Sequence, residues 1–413
     1  MAETTPENAH TSTASDGKPK SSLKFFKGGV NVLSDYSDDH NKLVQRELTK
    51  ALSAKNLSFL LGAGCSSYII DGEEKGVPTM KPLAEEFIKN KSGELEGDDP
   101  FKRIVEYGVR LEHFNHNLED LLQILFSLLS FVQIGRRKKG KFVQDAIEQI
   151  TDYLYNKINL SKGDEVLNLY QSFYKRIFFR ERSLPRPWVF TTNYDLLNEH
   201  ALDTLGIAYC NGFSGGLTRR FNPSTFKLTL AQELDVSANR WVAVDNFVYL
   251  CKLHGSISWV RDDKQGLWPF KEVMPDTQPS QQMMIYPTPA KEGQSLGSPY
   301  SDLFREFQGR VVREQSVLLV MGYSFSDEHI NNIIYQALTI PSFRLIIFAD
   351  PDSEGDIAKL KALDDPRIWI IGGQNQEHFF KKIVENLLPE PPAEETEDAI
   401  KKLQNALGVR GDS

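Results

Sequence analysis

Leu57-Ser58-Phe59-Leu60-Leu61-Gly62-Ala63-Gly64-Cys65-Ser66 joins an apolar run to a turn of small residues. A short apolar run bounded by glycine is the pattern of a β-strand covered on both faces. The pattern recurs along the chain. Trp188-Val189-Phe190 leads into Thr191-Thr192-Asn193-Tyr194-Asp195, and Phe247-Val248-Tyr249-Leu250 leads into Leu253-His254-Gly255-Ser256. Val317-Leu318-Leu319-Val320-Met321 leads into Gly322-Tyr323-Ser324-Phe325-Ser326-Asp327, and Leu345-Ile346-Ile347-Phe348 into Ala349-Asp350-Pro351. Open sheets of parallel strands bind ligands in the crevice beyond the carboxyl ends of their strands. Small and polar residues at each of these ends therefore predict a nucleotide crevice.

The expected fold is α/β: a Rossmann-like parallel sheet with helices on both faces and a helical subdomain inserted after the first βα unit. That insertion is expected over about 81–185, where Leu118, Leu121, Leu122, Leu125 and Leu129 recur at helical spacing. Residues 213–299, rich in Gly, Pro and aromatic side chains, read as loops and short strands. Residues 1–22 hold few large apolar side chains and are expected to stay disordered, because they cannot offset their ordering entropy. The main domain is expected over 23–388, followed by a linker and tail over 389–413.

Composition narrows the function classes. The 413 residues are 40% hydrophobic with a formal net charge of -8, enough for a large core and unfavourable for direct nucleic-acid binding by this chain alone. Arg136-Arg137-Lys138-Lys139 reads as a solvated helix end or loop. No run reaches the roughly 18 apolar residues of a membrane span, and no signal-peptide apolar region opens the chain, so a cytoplasmic protein is expected. The 3 cysteines, Cys65, Cys210 and Cys251, are scattered, which predicts neither a disulfide framework nor a cysteine zinc site. No metal is expected.

Each motif has a plain reading and a chemical one. Gly62, Ala63 and Gly64 let backbone amides approach a phosphate at a helix amino terminus, or simply make a tight turn; Ser67 stands where the full dinucleotide fingerprint has its third glycine. Asn193 and Asp195 fit a helix cap as well as a polar site. His254, at a strand end beside glycine, is expected to be exposed enough to titrate, and its ordinary pKa suits acid–base work. Ser326 and Asp327 could cap the helix carrying Ile330, Ile333 and Ile334.

Taken in order, the motifs resemble the sirtuin family, NAD-consuming proteins of the silent information regulator type, and are most similar to its prokaryotic branch of anti-phage NADases. The likeness spans about residues 45–385. It implies that Gly62, Ala63, Gly64 and Ser66 bind the pyrophosphate of NAD⁺, that Asn193 and Asp195, with Thr192, surround the nicotinamide ribose, and that His254 is the catalytic base. It places Gly322, Ser324 and Ser326 at the adenosine ribose and suits Asp350 to the adenine end. Asn117, Glu119 and Asp120 resemble a polar stretch of the family's helical insertion that faces the site.

Two departures bear on the reaction. Deacylating sirtuins carry a four-cysteine zinc module after the histidine, and no cysteine follows Cys251 here. Their Gly-Ile-Pro-Asp-Phe-Arg segment is replaced by Gly76-Val77-Pro78-Thr79-Met80. Water is then the expected acceptor, with NAD⁺ as substrate and nicotinamide and ADP-ribose as products, in abortive-infection immunity. Uncontrolled NAD⁺ loss would kill the cell. Gating is expected through homo-oligomers and a separately encoded HerA-type ATPase, both implied by the resemblance. The competing expectations are a protein deacylase or ADP-ribosyltransferase, and a non-catalytic scaffold that binds NAD or ADP-ribose.

Overall fold

A computed structural model describes residues 22–37, 39–70, 73–91, 98–135, 140–160, 164–178, 180–181, 183–235, 240–262, 269–274, 283–285 and 298–390. Residues 1–21 of the expected amino-terminal segment, Arg136 to Lys139, and 391–413 of the expected tail lie outside them. Nine strands of the described residues form a central sheet. In chain order they are β1 (Lys24–Lys27), β2 (Val30–Asn31), β3 (Asn56–Leu61), β4 (Trp188–Thr191) and β5 (Ala208–Cys210), then β6 (Phe247–Lys252), β7 (Ser316–Met321), β8 (Arg344–Phe348) and β9 (Ile368–Gly372). Their spatial order is β2-β1-β9-β8-β7-β3-β4-β6-β5. Every pairing from β9 to β5 is parallel, and β1 and β2 close one edge antiparallel. The α/β class and the mostly parallel sheet are those expected.

The runs are continuous because both faces are covered. Leu57, Phe59, Leu61, Val189, Val317, Leu319 and Met321 point into one core, while Leu60, Trp188, Phe190, Leu318 and Val320 point into the other, as the period of two requires. The first core packs against α1 (His40–Leu52) and the helices between β3 and β4: α2 (Met80–Lys91), α3 (Pro100–Glu106), α4 (Leu118–Gly135), α5 (Lys141–Leu160) and α6 (Asp164–Ile177), with α7 (Leu197–Thr204) beyond β4. Leu118, Leu121, Leu122 and Leu125 are the buried stripe of α4. The second core lies under α8 (Tyr300–Val311), α9 (Glu328–Leu338) and α10 (Asp356–Ala362). A smaller antiparallel sheet continues from β6, its longest strand Gly255–Arg261 flanked by Met283–Ile285 and Phe270–Glu272.

From β3 the chain moves outward through β4 and β6, then returns to lay β7 against the other side of β3 and proceeds through β8 and β9. The direction reverses between β3 and β7, where a parallel sheet opens its crevice. Two turns meet there at backbone contact. Gly62 N donates to Met321 O at 2.9 Å and Gly64 N to Gly322 O at 3.0 Å. A Cβ on Gly62 would stand 2.3 Å from Gly322 O, and one on Gly322, whose φ is +61°, would stand 2.5 Å from Cys65 N.

The segment after Gly64 differs from expectation. No α-helix starts there: Ala63–Cys65 form one 3-10 turn, and Ser67–Ile70 pairs antiparallel with Glu73–Gly76. The Tyr68-Ile69-Ile70 run prefers an extended chain. Gly76, at φ +89°, then brings the chain back so that Val77 N donates to Ser66 O at 2.8 Å.

Gly62→Ala or Gly322→Ala should cost about 2–4 kcal/mol in denaturant unfolding, since backbone atoms cannot yield to the added methyl. Gly309→Ala, on α8 with open space at its Cβ, should instead gain about 0.5–1 kcal/mol.

Candidate active site

A cavity of about 840 Å³ opens over the carboxyl ends of β4, β3, β7 and β8 and the turn after β6. Its wall takes Ala63, Gly64 and Ser66 from the turn after β3, Thr192 to Asp195 after β4, His254 after β6, Gly322 to Asp327 after β7, and Asp350 after β8. Met80 of α2 and Glu119 of α4 close it from the inserted helices.

At the floor the chain ties three segments, the turn after β3, the segment after β4 and α6, into one polar knot. Ser66 Oγ donates to Asp195 Oδ2 at 2.7 Å and accepts from Asn193 Nδ2 at 2.9 Å. With the Ser66 proton committed to Asp195, Tyr170 OH, 2.9 Å away on α6, is the donor in that contact. Asn193 Nδ2 also donates to Gly62 O at 3.0 Å. The reverse amide orientation would press Oδ1 against that carbonyl oxygen, so the network fixes which end faces which way. Asn193 Oδ1 is then left buried with no partner among the described residues. A buried acceptor without a donor is costly, and such exceptions point to a missing ligand or water.

The second cluster is built around His254. Its Nε2 donates to Asp327 Oδ2 at 2.9 Å, while Asp327 Oδ1 accepts from His329 N and Ile330 N at 2.8 and 3.1 Å. One carboxylate caps α9 and orients the histidine. Burial opposes the charge of Asp327, but the His254 ring and the two helix amides outweigh it and hold its pKa below the ordinary value. Glu119 goes the other way: burial raises its pKa, only partly offset by His254 and by Tyr194 OH, which donates to Glu119 Oε1 at 2.7 Å. His254 is 8% exposed, less than expected for a strand-end histidine, because Gly255, at φ +100°, turns the chain straight into the second sheet.

Beneath the knot lies a buried ion pair. Lys252 Nζ is 3.0 Å from Glu199 Oε1 and also donates to the Asp195 carbonyl. Asp195 Oδ1 accepts from Leu197 N at 3.0 Å, so both Asp195 oxygens are engaged: it holds the start of α7, as the capping reading has it, and it anchors Ser66.

The remaining candidates divide. Gly62 is buried below the floor, and its role is the close approach to Gly322 and the carbonyl offered to Asn193. The amides of Gly62, Gly64, Cys65 and Ser66 all donate within the protein, and Ala63, exposed at the tip, lines the cavity beside Gly64 and Ser66. Thr192 N donates to Leu61 O. Ser324 and Ser326 are exposed, with their hydroxyls 3.0 Å apart. Asp350 Oδ1 accepts from Asp352 N at 3.0 Å. Tyr170 was not foreseen: it shares the buried face of α6 with Phe173 and Tyr174, and spacing marks it only as core. Asn117 Oδ1 caps α4 by accepting from Glu119 N at 2.9 Å, and Asp120 lies 3.8 Å from His116. Among the described residues no group of three or more His, Cys, Asp or Glu could hold a metal ion, and no helix is long and apolar enough to cross a membrane.

Residues 187–370 match the family model of the SIR2-like domain. The match supports a sirtuin-like family, whose domains are typically NAD-dependent enzymes. It contains Asn193, Asp195, His254, the Gly322 turn and Asp350, and it begins after the Gly62 turn and Tyr170. No curated protein matches the chain in sequence.

Glu119→Gln keeps an acceptor for Tyr194 and removes the buried charge. Because the folded-state pKa of Glu119 is raised, the native protein loses stability as pH rises through the range above the unfolded value. The variant should therefore gain in Tm over the parent as the buffer goes from pH 4 to pH 8, and a constant difference would refute the assignment.

Proposed function

We propose that the chain is an NAD⁺ hydrolase that cleaves the bond between nicotinamide and ribose. The observation that carries this reading is the unpartnered Asn193 Oδ1, buried in the cavity that also holds the His254–Asp327 couple. The cavity's span supports a dinucleotide: β6 to β8 is four strand spacings, about 19 Å at roughly 4.8 Å each. The reacting end would lie over β4 and β6, and the pyrophosphate over the β3/β7 switch point.

The chemistry asks little of an acid. The N–C1′ bond breaks with its electron pair leaving on nicotinamide, which departs neutral from a cationic pyridinium. The oxygen of water adds to the oxocarbenium-like C1′, and one proton is released, giving ADP-ribose. Asn193 Oδ1 accepts from the attacking water or from a ribose hydroxyl and so orients it. Asp327, accepting from Nε2, orients His254, and the ring takes the proton while Asp327 stabilises the resulting cation. Asp195 does not face the reacting bond with a free oxygen; it holds Ser66 and the start of α7, and so positions Asn193. Water rather than an acylated lysine is the acceptor because no cysteine follows Cys251 to build a four-cysteine module, and the Gly76-Val77-Pro78 segment lacks the Asp-Phe-Arg continuation.

The motif likeness to anti-phage NADases supports a role in abortive infection. Unchecked hydrolysis would empty the cell of NAD⁺, which favours control by assembly, as homo-oligomers and with a separately encoded HerA-type ATPase.

Incubating the chain with NAD⁺, alone and with such an ATPase, should release nicotinamide and ADP-ribose in equal amounts, unaffected by an acetylated peptide. His254→Ala should lower the rate by at least about 100-fold with the fold retained. Asn193→Ala should do the same and also lower Tm, because Gly62 O and Ser66 lose their donor. Full turnover by folded His254→Ala, or NAD⁺ use that requires the peptide, would overturn the reading.

A further inference from the structure

α4 is apolar on two faces. Leu118, Leu121, Leu122 and Leu125 face the first core. Ile124, Ser127, Leu128 and Phe131 recur at the same three- and four-residue spacing on another side of the helix. There Phe131 is 75% exposed and Ile124 41%, while Leu128 is half-buried. From Leu121 to Gly135 the helix carries no charge. Ser127 Oγ and Ser130 Oγ already donate to the carbonyls of Gln123 and Phe126, at 2.9 and 3.0 Å, so a covering partner would strand neither hydroxyl. A helix that is apolar all round is one that is covered all round.

We propose that a second copy of this chain covers the stripe, the two α4 helices packing antiparallel about a two-fold axis beside Ser127 and Leu128. Charge selects this occupant. The chain carries a formal net charge of -8, so two copies repel unless they meet at a face free of charge, and the stripe is such a face. One patch serves both copies in a two-fold contact. The small Ser127 beside the axis lets the helices approach to roughly 8–10 Å, with Ile124 of each copy near Phe131 of the other. Antiparallel packing also keeps the two acidic first turns apart. It points each Asp120 toward the last turn of the other helix, where the sequence runs on into Arg136-Arg137-Lys138-Lys139. Parallel packing would set acid beside acid. The same helix closes the cavity: Glu119, in its first turn, accepts from Tyr194 OH at 2.7 Å, and the Tyr194 ring centre lies 6.4 Å from that of His254. On the hydrolase reading above, on which this step alone rests, the paired helices hold Glu119 against Tyr194 and the dimer is the active form.

Sedimentation of the full chain at micromolar concentration tests the contact. The parent should self-associate. Phe131→Glu and Ile124→Glu, at exposed positions, should keep the parent Tm and weaken association by at least about 100-fold, because each sets like charges in an apolar contact. Leu234→Glu, also at an exposed position but on the hairpin of Ala231–Asp235 and Arg240–Ala243, should leave association unchanged. Ser127→Cys, treated with oxidised glutathione, should give a disulfide-linked dimer as the glutathione is reduced. The parent, with Cys65 and Cys251 buried and Cys210 half-buried, should not. A monomeric parent, a parent that gains mass only with the ATPase, or a dimer that survives both glutamate substitutions would overturn the proposal. Nicotinamide release from the same samples keeps the two readings apart. Release lowered about tenfold in the monomeric variants supports the link from α4 to the site, and unchanged release refutes that link. A parent that pairs through α4 but leaves NAD⁺ intact would refute hydrolysis and leave the contact standing.

Discussion

Two backbone turns meet without side chains between them, and the rest of the site depends on that contact. Gly62 and Gly64 come against Gly322 at the point where the sheet reverses its direction of growth, and a methyl group on Gly62 or Gly322 would overlap backbone atoms. Because the turns touch, the ends of β3 and β7 stand level, and the segments that follow them share one cavity. Asn193 reaches the Gly62 carbonyl from β4, the neighbour on the other side. Three adjacent strand ends are thereby locked into one floor, with bonds that leave a single acceptor on Asn193 facing inward.

The polar groups below that floor are arranged to move little. Apart from Asn193 Oδ1, the groups of Ser66, Asn193, Asp195 and Tyr170 hold one another, and a buried network of this kind is expensive when any member is lost. The Lys252–Glu199 pair extends it downward. A buried ion pair adds little net stability compared with apolar residues of the same shape, so its value here is better sought in position: Lys252 holds the Asp195 carbonyl from below. Asp327 serves in the same way on the other side. Its bonds to the α9 amides are made whether or not His254 is charged, so the histidine's partner is already in place before any proton moves.

Much of this could be read in the sequence because the sheet is covered on both faces. Covered strands must be apolar throughout, and the five runs ending in Gly62, Thr191, Leu253, Gly322 and Ala349 announced themselves as such. What could not be read depends on contacts distant in sequence. Whether Ala63-Gly64-Cys65 begins a helix or a single 3-10 turn is decided by the approach of Gly322 and by the return of the chain at Gly76. Tyr170 looks like any core aromatic of an amphipathic helix, since nothing around it in sequence reports that Ser66 and Asn193 lie beneath its hydroxyl. The burial of His254 follows from the turn at Gly255, which a strand-end position alone does not reveal. The dual duty of Asp195 and Asp327 was half visible: each was legible as a cap, and the second bond of each comes from another part of the chain.

The stretch matched by the SIR2-like family model, 187–370, holds β4 through β9 except that β9 is cut near its end, and it omits β3. Yet β3 is the strand between β4 and β7. A fragment limited to that stretch would have two rows of backbone amides and carbonyls facing each other across a missing strand, with Phe190 and Leu318 losing Leu60 from between them, and such open edges invite pairing with other chains. The matched stretch thus leaves out the strand at the centre of the sheet. The sheet is completed from the amino-terminal side, by a strand whose flanking turn and following helices also supply Ser66, Glu119 and Tyr170, so the matched stretch and the sheet have different limits in this molecule.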